Sequence, residues 1–495
     1  MKEFAVGFFW YSPLLVLLFF VSHRLLFLAR RKSKEQLNLP PGSSNEGWPF
    51  IGKTFDFIKP HPSTTIGEFM KDRLQRYGKI YRSHLFGAPA IVSADPDMNR
   101  FVLQNEGKLF EANYPKTMGD VLGKWAMLLV NGDMHKTLRS IAVNSTNPVR
   151  IRSHILSDLD FHVQKLLKDL PINSPFSASE MAKKITFNVM ASQVLSMDPD
   201  EPDNKWLRKE YMDFMRGLCS SFPVNLPGTV YGKAVKCRQN ILKFMLKKMN
   251  ERRKIGKEYD DFLGMVVLQT NLSEEQKLDL LLSMLFAGFE TTSTAISLVV
   301  FFLEACPKAV SQLREEHLGI VRKKQHAGDS PDLQWNDYKE MEFTQCVINE
   351  TLRLGNVVSY VHRKALQDIT YKGFFIPSGY TILPVFSAIH LNPDYYKDPE
   401  KFDPWRWLQI KKPGDKFLPF CGGPRLCAGI DLAKVEMSIF IHHLVLKYQW
   451  ELAEPDIPIS YPFIEFHKEL PIKVRPYHCM EDNNDHVSNV KSLPN

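Results

Sequence analysis

Two long apolar stretches dominate the hydropathy pattern, one at the start of the chain and one past its middle. Phe4 to Val21 is apolar apart from Gly7, Ser12 and Pro13, and Leu25 to Ala29 extends the run beyond His23 and Arg24. A helix needs roughly 20 residues to cross a bilayer, so this segment is just long enough, with Arg24 able to snorkel. Arg30, Arg31, Lys32 and Lys34 follow it, against a single Lys2 before it. By the positive-inside tendency the rest of the chain is then expected in the cytosol. A cleaved signal peptide fits worse, because the run is long and no small-residue cleavage site follows.

The second stretch, Asp279 to Phe302, is preceded by Ser273-Glu274-Glu275-Gln276, the form of a helix start. Helical patterns fill residues 145 to 350. From 355 to 400 short β-like runs such as Ile369-Thr370-Tyr371 are punctuated by Gly373, Pro377, Gly379, Pro384 and Pro393. The expected fold is therefore mostly α with a small β-rich part near the C-terminus, preceded by one transmembrane helix. Residues 1–30 form the expected membrane anchor, and 31–52, with Pro40, Pro41 and Pro49, a stiff basic and proline-rich linker. Residues 53–479 form the folded domain, and the polar, aperiodic 480–495 a disordered tail.

Composition narrows the class without naming the chemistry. A hydrophobic share of 44% and a charged share of 24% are those of a globular protein. The net charge of +8 is spread along the 495 residues. That fits an anionic surface or acidic partner and gives no sign of nucleic-acid binding. Seven cysteines are scattered and odd in number, with no CxxC pair. They suit a reducing compartment and describe neither a disulfide framework nor a zinc site.

One cysteine stands in a distinctive string, Phe420-Cys421-Gly422-Gly423-Pro424-Arg425-Leu426-Cys427-Ala428-Gly429. A thiolate is a good iron ligand, and it pushes electron density that favours O–O cleavage. Glycines at 422, 423 and 429 would let backbone N–H groups approach the sulfur, and a helix starting near Ile430 would aim its positive end there. Arg425 offers a cation to a haem propionate. The string resembles the cysteine-ligand loop of the cytochrome P-450 superfamily, matched at Phe420, Gly423, Arg425, Cys427 and Gly429. Cys421, where many members have glycine, is read as a small packed residue.

Other motifs follow the order this resemblance requires. Glu350-Thr351-Leu352-Arg353 resembles the family's ExxR helix, where i and i+3 share a face, and Arg406 the third member of a structural Glu-Arg-Arg cluster. Ala287-Gly288-Phe289-Glu290-Thr291-Thr292 lies inside the long apolar helix, where a glycine costs about 1 kcal/mol and an acid more. The resemblance makes Glu290 and Thr291 a proton-delivering acid–alcohol pair, with Ala287 and Gly288 leaving room for O2. The competing explanation is a helix-packing notch with a salt-bridged glutamate. His135 and Arg139 resemble the propionate-binding helix, with His135 where many relatives have tryptophan, and Arg363 is a further candidate there. The more polar Asn144-Ser145-Thr146-Asn147-Pro148 departs from the expected pattern and leaves the packing after that helix open.

The resemblance implies a haem-thiolate monooxygenase with haem b, using O2 and electrons from NADPH through a reductase, on the endoplasmic reticulum membrane. Lys434 belongs to a basic face that could receive that reductase. The stretches 362–380, 388–391 and Glu111 to Leu129, with Tyr114-Pro115-Lys116 and Gly123-Lys124-Trp125, look most like plant brassinosteroid C-22 hydroxylases. The implied substrate is a phytosterol or cholesterol. An apolar pocket would suit it, with Met118, Val121, Leu122 and Met284 as candidate lining. Ala287, Val357, Val358 and Phe463 complete that set. Alternatives are oxidation at another position of a steroid or terpenoid, a haem-thiolate isomerase or dehydratase, and a non-catalytic haem-fold binding protein.

Overall fold

The computed structural model describes residues 38–477, except 50, 219–224, 257, 258, 260, 411, 412 and 462. The expected anchor, the first part of the linker and the expected tail lie outside the described residues. Helices of seven residues or more are α1 Gly67–Tyr77, α2 Pro96–Gln104, α3 Lys116–Leu122, α4 Gly132–Ser145, α5 Leu156–Lys168 and α6 Ala178–Leu195. They continue with α7 Pro202–Leu218, α8 Val230–Ile255, α9 Glu274–Glu304, α10 Pro307–Ala327, α11 Glu342–Gly355 and α12 Ile430–Lys447.

The axis of the domain is α9. Its start is the expected one: Ser273 Oγ accepts from Gln276 N, and the Gln276 side chain accepts from Ser273 N, a capping box. By length and composition α9 could cross a membrane, but most of it is buried inside the domain, packed on α6, α11 and α12. Its two halves serve two cores. Leu280 to Phe289 joins a cluster with α3, α7 and α8, whereas Ala295 to Leu303 joins one with α5, α11 and α12. The Glu290–Thr291 step falls between them.

The β structure is not confined to the C-terminal part. The largest sheet runs Ile80–Leu85, Ala88–Ser93, Thr381–Pro384, Arg363–Ala365, Phe110–Ala112. Its first two strands form a hairpin turned by Phe86 and Gly87, both at positive φ, a turn that matches the twist of the flanking strands. The expected strand at Ile369–Tyr371 pairs with Phe374–Ile376 around Lys372 and Gly373, again both at positive φ. The polar stretch after α4 also has a physical account. Thr146 Oγ1 donates to the Ala428 carbonyl at 2.8 Å. Asn147 caps a short turn with Pro148 in its first position, which runs through one π-helical turn, Ile151–Ile155, into α5. Thr146 thereby ties α4 to the cysteine loop.

Candidate active site

The cysteine loop is shaped by a single obligatory glycine. Gly423 has φ +65, and a Cβ there would lie 2.1 Å from the Leu103 carbonyl oxygen, so no side chain fits. Gly423, Pro424 and Arg425 make one 3-10 turn, and Cys427 N donates to the Phe420 carbonyl at 3.0 Å. Gly422 is extended, with nothing closer than 3.5 Å to its Cβ position, and a Cβ at Gly429 would meet no atom within 4 Å. Of the three expected close approaches, only the one at Gly423 therefore constrains the backbone. α12 begins at Ile430 with Gly429 as its N-cap, which places the helix's positive end beside the sulfur. Burial pushes the Cys427 thiol up, while the Gly429 N–H and the Arg139 charge pull it down.

Behind this loop the expected Glu-Arg-Arg cluster is assembled and sealed. Arg353 Nε and Nη2 donate to the two Glu350 oxygens at 2.9 and 2.8 Å, and Arg406 Nε donates to Glu350 Oε1 at 2.9 Å. Trp407 Nε1 and Asp403 N also donate to Glu350. Arg353 Nη1 reaches the His390 and Pro399 carbonyls, each at 2.7 Å. His390, buried, carries the cluster to the cysteine loop. Its Nε2 accepts from Leu418 N at 3.0 Å, so Nδ1 holds the proton and donates to Asn356 Oδ1 at 2.9 Å. Burial, and then Arg353, push its pKa to about 3.

On α9 the pattern of exposure picks out one stripe. Ala287 and Thr291 are exposed although the flanking residues 279–285 and 295–300 are buried, and i, i+4 positions share a helix face. Thr291 Oγ1 donates to the Ala287 carbonyl at 2.7 Å, which leaves its lone pairs directed away from the backbone. Gly288 behaves differently from the expectation. A Cβ there would meet Met190 Sδ at 2.3 Å, so this glycine lets α6 approach α9 and does not widen the space beside Ala287. Glu290 has its carboxyl pKa raised by burial, against the pull of Lys183 and with a push from Glu465.

The four expected propionate partners are brought together, with a residue that the sequence did not mark. His135, buried, is pushed down to about 4 by burial and then by Arg425, Arg139 and Arg363. Arg425 Nε donates to Glu106 Oε1 at 2.7 Å. Arg363 Nε forms an ion pair with Glu106 Oε2 at 2.5 Å, without the alignment of a hydrogen bond. Arg425 also donates to the Leu128 and Val130 carbonyls and to Asn131 Oδ1. It is thus committed to protein partners, correcting the picture of a free cation. Phe420 is half-buried against the α11–α12 core.

A family model described as cytochrome P450 matches residues 40–473. The chain belongs to the cytochrome P450 family. It is similar to a steroid (22S)-hydroxylase of Oryza sativa subsp. japonica, 53% identical over 89% of this chain and 88% of that one. A cholesterol 22-monohydroxylase of Paris polyphylla is also 53% identical, over 90% and 95%. A second, from Trigonella foenum-graecum, is 50% identical over 96% and 99%. Among solved structures, a retinoic acid-bound cyanobacterial P450 superposes with a TM-score of 0.79 at 28% identity, covering 90% of this chain and all of that one.

As a cytochrome P450 the chain is a monooxygenase whose haem carries an axial cysteine thiolate, and the residues fit that group. Cys427 is exposed although desolvation dominates its thiol's environment. Open space lies beside it at Gly429, and α12, which starts there, packs on α9. The cations stand within charge range of one another. The candidate substrate-lining residues divide. Val121, Leu122 and Met284 are buried in the core shared by α3, α7 and α8 and pack there. Met118, Val357, Val358 and Phe463 keep part of their surface, and Ala287 is exposed on the stripe.

Proposed function

We propose that this cytochrome P450 hydroxylates the C-22 side-chain position of a phytosterol or cholesterol, in brassinosteroid or related steroid biosynthesis. One observation carries the reading. Relatives 50–53% identical over about nine-tenths of both chains are named steroid or cholesterol 22-hydroxylases.

Bound haem would supply the oxygen-activating iron, with O2 as co-substrate and electrons from NADPH through an NADPH–haemoprotein reductase. Cys427 is the residue that would hold the iron, oriented by the Phe420 carbonyl and the Gly429 N–H. Arg139 and His135 would meet the anionic edge of the ring, with Arg363 and Arg425 framing it through Glu106. Glu290 has a raised pKa, so it holds a proton nearer neutrality than an ordinary carboxyl. It can pass that proton toward the Thr291 hydroxyl, whose orientation the Ala287 carbonyl fixes. Residues 1–30 serve as a single-pass anchor in the endoplasmic reticulum, with the catalytic domain in the cytosol. Residues 31–52 are then the linker and 480–495 a tail.

Microsomes containing the full chain and a reductase, given NADPH with campesterol or cholesterol, should yield the 22-hydroxysterol by mass spectrometry. Absence of that product, from protein that shows the red-shifted Soret band of a thiolate-ligated carbon monoxide complex, overturns the substrate assignment.

A further inference from the structure

Gly123-Lys124-Trp125 enters the proposed function only as a likeness, yet it marks where the segment between α3 and α4 is fastened. Asp279 lies on α9 two turns before Ala287, with 1% of its side chain exposed. A carboxylate buried this deeply needs strong partners. Its Oδ1 accepts from Arg238 Nη2 of α8 at 2.5 Å, and its Oδ2 accepts from Trp125 N at 3.0 Å. Gly123 has φ +105, and a Cβ there would sit 2.4 Å from both carboxylate oxygens and 2.5 Å from Arg238 Nη2. The chain passes so close to the ion pair that only glycine fits.

One turn along α9, Ser283 Oγ donates to the Asp279 carbonyl at 2.6 Å and accepts from Met127 N at 3.3 Å. Glu275 adds an outer tie, pairing with Lys124 Nζ at 3.0 Å and accepting from Trp125 Nε1 at 3.3 Å. At the far end Arg425 holds the carbonyls of Leu128 and Val130. Residues 123–131 therefore form a strap from α3, which packs on α7, α8 and α9, to α4, which carries His135 and Arg139. The strap is not equally secure along its length. Arg238 Nε is buried without a hydrogen-bond partner among the described residues, so Asp279 is the contact that holds the guanidinium in place.

We infer that Asp279 and Arg238 are positioning residues. They set how closely the 123–131 strap and α3 stand over the Ala287–Thr291 stripe, and so fix the orientation of a rigid apolar substrate there and exclude water. The part concerning substrate orientation rests on the proposed sterol reading; the part concerning the strap does not.

The test uses the haem-loaded full chain with Arg238→Met, Asp279→Asn and the conservative Arg238→Lys. Breaking one buried charge-assisted bond should raise amide exchange at Trp125 and Met127 about tenfold or more in Arg238→Met. The association rate of 4-phenylimidazole should rise several-fold, while that of imidazole, small enough to pass a closed strap, stays unchanged. With sterol, the share of 22-hydroxylated product should fall and the NADPH consumed per product should rise. Asp279→Asn, which keeps an acceptor for Trp125 N, should fall between, and Arg238→Lys should recover most of the wild-type behaviour. Unchanged exchange and unchanged 4-phenylimidazole kinetics overturn the inference, as does an equal rise for both imidazoles. If Arg238→Met does not hold haem, the same two measurements on Asp279→Asn decide. Wild-type protein that makes no 22-hydroxysterol defeats the sterol reading alone, because the exchange and imidazole measurements still judge the strap.

Discussion

Buried charge is used in opposite ways on the two flanks of the core. Behind the cysteine loop, the two oxygens of Glu350 accept five hydrogen bonds from four residues. The Arg353 side chain has 0% exposure. Toward the strap, Asp279 takes one bond from Trp125 and one from Arg238, and Arg238 leaves Nε unpaired. A satisfied buried network fixes one geometry, whereas a partly satisfied one leaves a second arrangement within reach. The iron ligand has to stay where it is through every turnover, and the segment above α9 has to admit a large substrate. The difference in satisfaction matches that difference in task.

The comparison breaks most visibly at Glu350. Glu350→Ala leaves two arginines buried without their shared carboxylate, and removing one partner of a buried pair costs about 3–5 kcal/mol. The expected result is protein that accumulates poorly and gives no thiolate-type carbon monoxide spectrum. An intact spectrum with unchanged urea resistance would mean that the network is not what holds the loop. On the other flank, Thr291→Ala should keep that spectrum and instead lower product formed per NADPH, by about tenfold or more given the usual weight of a positioned proton donor. Measuring NADPH consumption and hydroxysterol in parallel checks it, and unchanged coupling would remove Thr291 from proton delivery.

Acid should find the sealed flank first. The folded pKa of His390, about 3, lies below the ordinary value of 6.5, so the unfolded chain binds the proton before the folded one does. Stability from this residue is thus complete above 6.5 and is lost as pH falls toward about 3, at up to about 1.4 kcal/mol per pH unit. Urea midpoints between pH 7 and 5 should show the fall, and His390→Gln should flatten it. An equally steep fall in that variant would assign the acid sensitivity to other groups, such as His362, which burial also pushes to about 3.

What the sequence disclosed and what it withheld follow the same division. Cys427, Glu350 with Arg353, Glu290 with Thr291 and the Ser273 capping box are each written within a few consecutive residues, so spacing alone exposes them. Glu106 has no such mark: its partner Arg425 is 319 positions away, and the string around it reads as an ordinary turn. Asp279 was visible only as the polar edge of an apolar helix, and its partners come from two other elements. The N-terminal hairpin escaped because Phe86, an aromatic, occupies a positive-φ turn position usually signalled by asparagine, aspartate or glycine. Gly288 shows the reverse error. A local string suggested space for O2, and the glycine in fact serves the contact with Met190.

The smallest effect is expected at Cys421, where the sealed flank carries a local strain. Cys421 has φ +64, a left-handed conformation that costs a non-glycine residue about 1–2 kcal/mol. Its thiol is pushed up by burial and feels the charge of Arg363, and it packs with Leu103, Val361 and Phe386. Cys421→Gly relieves the strain but loses that packing and gives the unfolded chain more freedom, a loss of about 0.5–1 kcal/mol. The balance should be a gain of about 0.5 kcal/mol in urea unfolding, with the carbon monoxide spectrum unchanged. A clear loss of stability instead would show that the small apolar contact of the sulfur outweighs the backbone. The loop would then be held from both sides, by the Glu350 network behind it and by side-chain packing within it.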